Sequence, residues 1–178
     1  VVLLIGSLWP VYRPAAPPNE LVEVPLSAPE FGLAQEYQPL PSRGRVRALV
    51  VFAQFAEEAG IGDQIPDFAA DLFAPDLPGS FTHFYTTMSF GQLQVEGRVL
   101  PKRYTSNRPA RAYLSKVADQ RGRYDWFAEE VLRQVDAEID LGQFDNDGLD
   151  GIPNSGDDDG LVDYVFVVVR QTPRNFIL

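Results

Sequence analysis

The sequence has no cysteine and a single histidine, His83. The absence of cysteine excludes disulfide bonds, thiolate nucleophiles and zinc–thiolate centres, although it says little about the compartment in which the protein works. A catalytic zinc site draws its protein ligands mostly from histidine and carboxylates, and the H-E-x-x-H pattern does not occur in these residues. Patterns for a serine nucleophile elbow, a phosphate loop or a dinucleotide-binding turn are also missing. We therefore expect no catalytic residue here, and we expect His83 to be exposed and structural.

Basic residues are also scarce, because 15 lysines and arginines stand against 25 aspartates and glutamates, for a formal charge of −10. Seven of the acidic residues lie within residues 145–163, which contain no lysine or arginine, so the rest of the chain carries only −3. Nucleic-acid binding depends on basic clusters that neutralise phosphates. We therefore expect no nucleic-acid partner.

The first residues, VVLLIGSLW, form an apolar run about as long as the hydrophobic part of a signal peptide and too short to span a bilayer. We interpret residues 1–16 as the remnant of an export signal, which predicts a secreted or extracellular protein with no stable membrane span. The chain starts at Val1 and its only methionine is Met88, so we expect it to be a fragment. The alternative is a buried N-terminal strand, which the prolines from position 10 onward disfavour.

Residues 17–44 are rich in proline and lack hydrophobic periodicity, which predicts a linker or pro-segment. The folded domain is expected over residues 45–178. Apolar runs predict buried strands at residues 48–52 and 162–169, and alternation predicts a half-buried strand at residues 93–99. Helices are predicted at residues 67–73, 80–90 and 124–139. In the second of these, Phe81, Phe84, Tyr85 and Met88 share one face, which we expect to be core.

The strongest candidate site is the acidic stretch at residues 145–163, which reads DNDGLDGIPNSGDDDGLVD. Alternating aspartates in a glycine-punctuated loop suit a hard cation such as Ca²⁺, which takes about six to eight oxygen ligands. The pattern matches an EF-hand loop if residues 149–158 are an insertion. The loop would then use Asp145, Asp147, Asp159 and Asp163, while Asp150 and Asp157 hold the same ion or a second one. The alternative is a solvated acidic loop without a metal.

Three segments carry a family resemblance: ALVVF at residues 48–52, LPGSFTHFYTTMSFGQLQVEGRV at residues 77–99, and FDNDG followed by DDDGLVDYVFVVV within residues 144–169. Together they resemble the N-terminal part of the catalytic domain of secreted zinc metalloproteases of the immune inhibitor A type. The central segment matches the family pattern at eight positions: Ser80, Phe84, Tyr85, Ser89, Gly91, Leu93, Val95 and Gly97. The chain departs from the pattern after its last strand, where Arg170 to Pro173 replace a His-Ala-Gly step, and in its longer acidic loop.

The resemblance implies an α/β (α+β) fold, namely part of a zincin-like domain with a twisted mixed sheet backed by helices. It also implies an exported endopeptidase whose zinc ligands and general-base glutamate lie C-terminal to Leu178, so Zn²⁺ and a protein or peptide substrate belong to the full-length protein only. Ca²⁺ at the acidic loop would then stabilise this part. The alternative is a non-catalytic calcium-binding module of a secreted or cell-surface protein. Substrate specificity and oligomeric state do not follow from these residues.

Overall fold

A computed structural model describes residues 2–6, 42–62, 64–116 and 122–177. Four strands form one sheet in the order β1-β4-β2-β3, where β1 is Val2–Gly6, β2 is Gly44–Gln54, β3 is Leu93–Thr105 and β4 is Tyr164–Val169. Strand β2 runs parallel to both β3 and β4, and β1 runs antiparallel to β4. The chain is therefore a mixed α/β structure whose centre is a small parallel sheet of three strands.

Helix α1 (Phe81–Met88) connects β2 to β3, and helix α2 (Tyr124–Asp136) connects β3 to β4. Short 3₁₀ segments complete these connections, at Ala56–Glu58, Asp67–Asp71, Ala110–Ala112 and Leu141–Phe144. Each crossover returns the chain to a strand parallel to β2, and such parallel connections require a long intervening segment that a helix usually supplies. Neither α-helix has the length and apolar character needed to cross a lipid bilayer, so the described residues contain no candidate membrane-spanning helix.

The chain has a strand near its N-terminus, which is the alternative that the sequence left open to an export-signal remnant. Residues 2–6 pair with β4 in antiparallel register, from Val2 opposite Val168 to Gly6 opposite Tyr164. The prediction of an export-signal remnant at residues 1–16 is not tested by this pairing. Most of the predicted linker or pro-segment at residues 17–44 lies outside the described residues, and β2, the first strand within the predicted domain at residues 45–178, begins at Gly44.

Both faces of the sheet are covered, as the continuous apolar runs predict. Odd-numbered residues of β2 and β4, such as Leu49, Val51 and Val167, pack against α2, and even-numbered residues, such as Val50 and Phe166, pack on the side of α1. Because successive side chains of a strand point to opposite faces, a strand covered on both sides must be apolar throughout. Strand β4 is accordingly a central strand with a neighbour on each edge.

Helix α1 begins where the sequence predicts, because the side chain of Ser80 accepts a hydrogen bond from the backbone N–H of His83 at 3.0 Å. The predicted core face is wrong in part. Phe84 and Met88 are 51% and 64% exposed, whereas Thr82 is buried and its hydroxyl donates to the carbonyl of Val95 at 2.6 Å. The face of the helix that meets the sheet is therefore Phe81, Thr82 and Tyr85, which lies beside the predicted face. Phe84 and Met88 consequently face outward.

The predicted apolar stripe of helix α2 is confirmed, but the helix ends earlier than expected. Phe127, Val131, Leu132 and Val135 are buried against the sheet. The helix stops at Asp136 instead of residue 139, and the chain then turns into the 3₁₀ segment that leads to the acidic loop. The end of α2 thereby brings the loop to the amino ends of β2 and β4.

Candidate metal centre

Two backbone hydrogen bonds close the acidic loop, one between its two ends and one between its middle and its first residue. The N–H of Asp163 donates to the carbonyl of Phe144 at 2.8 Å, and the N–H of Asn154 in the middle of the loop donates to the carbonyl of Asp145 at 2.7 Å. Asn154 has a φ of 55°, a left-handed conformation that asparagine tolerates better than most residues. The loop therefore folds back on its own first residue, which places the start and the end of the acidic stretch side by side.

Three of the seven aspartates meet at this closure. Asp145, Asp147 and Asp163 each offer a carboxylate oxygen, and these oxygens lie within 4.8 Å of one another. Asp145 is fully buried, Asp163 is 2% exposed and Asp147 is partly buried. Three carboxylates at this separation repel one another strongly when ionised, because each loses much of its hydration. We call these three residues the Asp145 group.

The carboxylate of Asp145 is the least satisfied part of the group. Both of its oxygens are buried and neither accepts a hydrogen bond of ordinary geometry from the described residues. The amide of Gly160 is close enough only for a minor lowering of the pKa. Leaving an ionised carboxylate buried and unpaired costs several kcal/mol or more. A cation at this position would remove that cost.

The pKa values of the group rise for the same reason. Burial, followed by the charges of Asp158, Asp159 and Asp147, raises the pKa of Asp145 to about 7. Burial also raises the pKa of Asp163 to about 8, although the hydrogen bond from the N–H of Asn146 opposes the rise. The pKa of Asp147 is raised as well, by burial and then by the charge of Asp159. Without a cation, protons compensate for the mutual repulsion.

The structure does not bring the other predicted ligands into this group. Asp150 accepts from the N–H of Ile152 at 2.7 Å, and Asp157 accepts from the N–H of Asp150 at 3.2 Å and from the hydroxyl of Ser155. That hydroxyl is the main cause of the lowered pKa of Asp157. Asp159 accepts from the N–H of Leu161 at 2.8 Å. These three carboxylates hold the turns of the loop and lie mostly at its exposed side.

Sequence reasoning missed two residues of the loop. Asp158 accepts hydrogen bonds from the N–H groups of Gly148 and Ser155, at 2.9 and 2.5 Å, and so ties the two halves of the loop together. Asn146 is buried and bonds the backbone of β2, where its side chain accepts from the N–H of Arg47 and donates to the carbonyl of Arg45. Nothing in the run of three aspartates distinguishes Asp158. An asparagine between two ligands gives no signal that its partner is a strand about a hundred residues away.

The donor set decides which class of cation fits. All three groups supply carboxylate oxygens, which suit hard cations such as Ca²⁺ and Mg²⁺, and no imidazole or thiolate, which zinc centres usually include, belongs to the Asp145 group. His83 lies on α1 and is partly buried instead of fully exposed. The Asp145 group therefore offers the ligand chemistry of a hard cation site.

Comparisons with models of protein families, with curated proteins and with solved structures give no match for this chain. Support for a metal centre therefore comes from the geometry of these residues alone.

Proposed function

We propose that this chain is a calcium-binding scaffold in which a Ca²⁺ ion at the Asp145 group fixes the amino end of a parallel sheet. The observation that carries the proposal is the carboxylate of Asp145, whose two oxygens are buried and without a hydrogen-bond partner among the described residues. A fold that buries such a group beside two further carboxylates is stable only if protons or a cation compensate the negative charge.

Calcium is the best candidate among the hard cations. Mg²⁺ prefers a strict octahedron and usually keeps several waters at sites with one or two carboxylates, whereas Ca²⁺ accepts six to eight oxygens in a flexible arrangement. The Asp145 group offers three carboxylates on a long loop, and backbone carbonyls and waters can complete such a shell. The loop sequence, with glycines at positions 148, 151, 156 and 160, gives the backbone the freedom to turn around an ion.

The position of the group explains what the ion would do. Asp145 follows the 3₁₀ segment Leu141–Phe144 after α2, and Asp163 directly precedes β4. An ion bound to both would hold the end of the second crossover against the start of its strand. Its role would be to stabilise this packing, and at a hundredfold excess over Kd it would add about 2.7 kcal/mol to the free energy of unfolding.

The experiment is a calorimetric titration of the purified chain with calcium, combined with thermal unfolding. Asp145→Asn removes the charge from the buried carboxylate and should abolish calcium uptake. Asp150→Asn makes the same change on the exposed side of the same loop and should reduce the affinity by less than about tenfold. Equal loss in both variants would show that the loop attracts calcium only by its net charge. No uptake by the unmodified chain at millimolar calcium would refute the proposal.

A second candidate is the N-terminal part of an exported zinc endopeptidase. The order of elements favours it. Strand β2 is followed by helix α1, then by β3, and the acidic loop precedes β4, which is the order of segments in the sequence resemblance. The zinc ligands would then have to come from outside these 178 residues, which contain one histidine. An H-E-x-x-H motif encoded after Leu178, together with casein hydrolysis that a zinc chelator abolishes in that longer product, would support this candidate. The chain of residues 1–178 alone should be inactive.

A further inference from the structure

The side chains of residues 145–147 point alternately to two different places. Asp145 and Asp147 belong to the Asp145 group. Between them, Asn146 turns the other way, accepts from the N–H of Arg47 at 2.9 Å and donates to the carbonyl of Arg45 at 2.8 Å. One side-chain amide thus provides β2 with the acceptor and the donor that a neighbouring strand would provide. The cation ligands and the first residues of β2 consequently form one hydrogen-bonded unit.

The first residues of β2 depend on this contact on their outer side. Strand β4 pairs with β2 only from Ala48 onward, where Ala48 lies opposite Tyr164. The preceding residues pair with β3 on the other side, from Gly44 opposite Leu93. If Asn146 were released, the backbone hydrogen bonds at the amino end of β2 would go to β3 alone, and the side chain of Arg47 would keep its weaker contact with the carbonyl of Gln143 at 3.4 Å. A strand end with one partner frays more readily than one with a partner on each edge.

Three arginines occupy alternate positions in this part of the chain, at residues 43, 45 and 47, within the sequence SRGRVRA. All three residues are exposed. An endopeptidase that cleaves after arginine can act within β2 only when the strand detaches locally, because its active site needs free backbone groups and those of β2 are paired with β3 and Asn146. The rate of such cleavage follows the population of the detached state when opening and closing are fast.

We infer that cation binding at the Asp145 group controls how far an arginine-specific endopeptidase can trim the junction between residues 1–43 and the domain. The inference rests on the proposed calcium site. With the ion bound, Asn146 stays on β2, and the Arg45–Val46 and Arg47–Ala48 bonds are protected. The Arg43–Gly44 bond lies at the strand end and is cut first. Without the ion, cleavage proceeds to the two inner bonds.

Each cleavage is an ordinary hydrolysis. Water adds to the carbonyl carbon of the arginine, the C–N bond breaks, and the nitrogen of Gly44, Val46 or Ala48 takes the proton and leaves as a new amino terminus. Cleavage after Arg43 separates β1 from β2 in the covalent chain, and cleavage after Arg45 or Arg47 cuts within the first residues of β2. The hydrogen bonds between β1 and β4 would then still attach the N-terminal peptide to the domain.

The experiment is limited trypsin digestion of the full chain in millimolar calcium and in calcium-free buffer. Mass spectrometry follows the initial rates at which peptides beginning at Gly44, Val46 and Ala48 appear, and a small arginine ester normalises the trypsin activity in each buffer. Calcium should slow the appearance of the Val46 and Ala48 termini by at least about tenfold, since a ligand in hundredfold excess lowers the unliganded fraction by about that ratio. Equal normalised rates in the two buffers would overturn the inference.

Two variants separate this coupling from cation binding itself. Asn146→Ala should still take up calcium in the calorimeter and should lose the calcium-dependent protection of the inner bonds. Gln143→Ala, an exposed neighbour on the same segment, should retain both. If Asn146→Ala does not fold by circular dichroism, Asn146→Ser takes its place. Calcium uptake with unchanged protection in the Asn146 variant would refute the coupling alone, whereas no calcium uptake by the unmodified chain would refute the proposed site.

Discussion

The ring of Phe73 lies directly on Gly97, with its Cζ atom 2.1 Å from the position that a Cβ on residue 97 would occupy. Glycine is therefore required at this point of β3 because an aromatic ring fills the space of a side chain. The ring is packed against Phe81 of α1, with ring centroids 5.7 Å apart, so it has little room to move away. This contact fixes how the connection before α1 lies on the sheet.

Gly97→Ala should therefore lower the free energy of unfolding by about 1–3 kcal/mol, the usual cost of forcing extra atoms into a packed site. Gly156→Ala is the matched control, because a Cβ there meets nothing within 4 Å and its φ is not positive. Chemical denaturation of both variants measures the difference. Equal stability of the two variants would show that Phe73 moves aside without cost.

Thr82→Val should destabilise the domain by about 1–3 kcal/mol. The hydroxyl of Thr82 is buried and donates its one hydrogen to the carbonyl of Val95 at 2.6 Å, with the carbonyl of Phe73 at 3.1 Å as the alternative acceptor. Valine has nearly the same shape, so the loss reports chiefly on the buried carbonyl left without this donor. Thr87→Val on the exposed side of α1 is the control and should change stability by less than about 0.5 kcal/mol. Thermal unfolding of the two variants provides the comparison, and a control as unstable as Thr82→Val would contradict the assignment.

The stability of the calcium-free chain should fall as the pH rises. The pKa values of Asp145 and Asp163 in the folded chain, about 7 and about 8, lie above the value near 4 expected in the unfolded chain. The folded state therefore binds more protons between these values, so the stability that Asp145 and Asp163 contribute is fully present below about pH 4 and is lost as the pH passes through 7 to 8.

Calcium should reverse this trend, because it binds the deprotonated carboxylates. The rise in melting temperature on adding calcium should grow from pH 5 to pH 8, by several degrees for each kcal/mol gained. Calorimetric scans of chelator-treated protein with and without calcium test this. A calcium effect that does not depend on pH would contradict the raised pKa values of the group.

Deleting residues 1–6 should destabilise the sheet and promote association. Residues 2–6 pair with β4 along its outer edge, so their removal exposes the backbone N–H and C=O groups of a strongly apolar strand. Exposed apolar edges are templates for pairing between chains. Light scattering and thermal unfolding of the truncated and complete chains would show this. A truncated chain that stays monodisperse and melts at the same temperature would indicate that β1 contributes nothing.

The sequence predicts those parts of the fold that repeat a local pattern. The runs ALVVF and YVFVVV are apolar at every position because β2 and β4 are covered on both faces, and the stripe of α2 recurs at helical spacing because one face of that helix packs on the sheet. Helix α1 is short, and its buried face includes Thr82, whose hydroxyl donates to the carbonyl of Val95, a partner that the apolar spacing does not indicate. The pairing of β1 with β4 joins residues more than 150 apart, and local patterns contain no information about such partners.

The candidate site was predictable as a segment and only partly as a set of residues. An acidic loop without basic residues points to a cation, and Asp145, Asp147 and Asp163 are among the six aspartates chosen from its spacing. Which aspartates join the Asp145 group and which accept hydrogen bonds depends on where the backbone N–H groups of the loop need acceptors. Asp150, Asp157 and Asp159 satisfy these groups, and that requirement exists only once the loop has folded.

The Asp145 group lies at the amino ends of β2 and β4, and the six residues of β4 separate it from the carboxyl ends of the strands by about 20 Å. Substitutions that far apart generally have additive effects on stability. Cation dependence and the surface at the carboxyl ends can therefore change independently during evolution. A library that varies the loop could yield domains with a chosen calcium threshold while the opposite end of the sheet keeps its sequence and its shape.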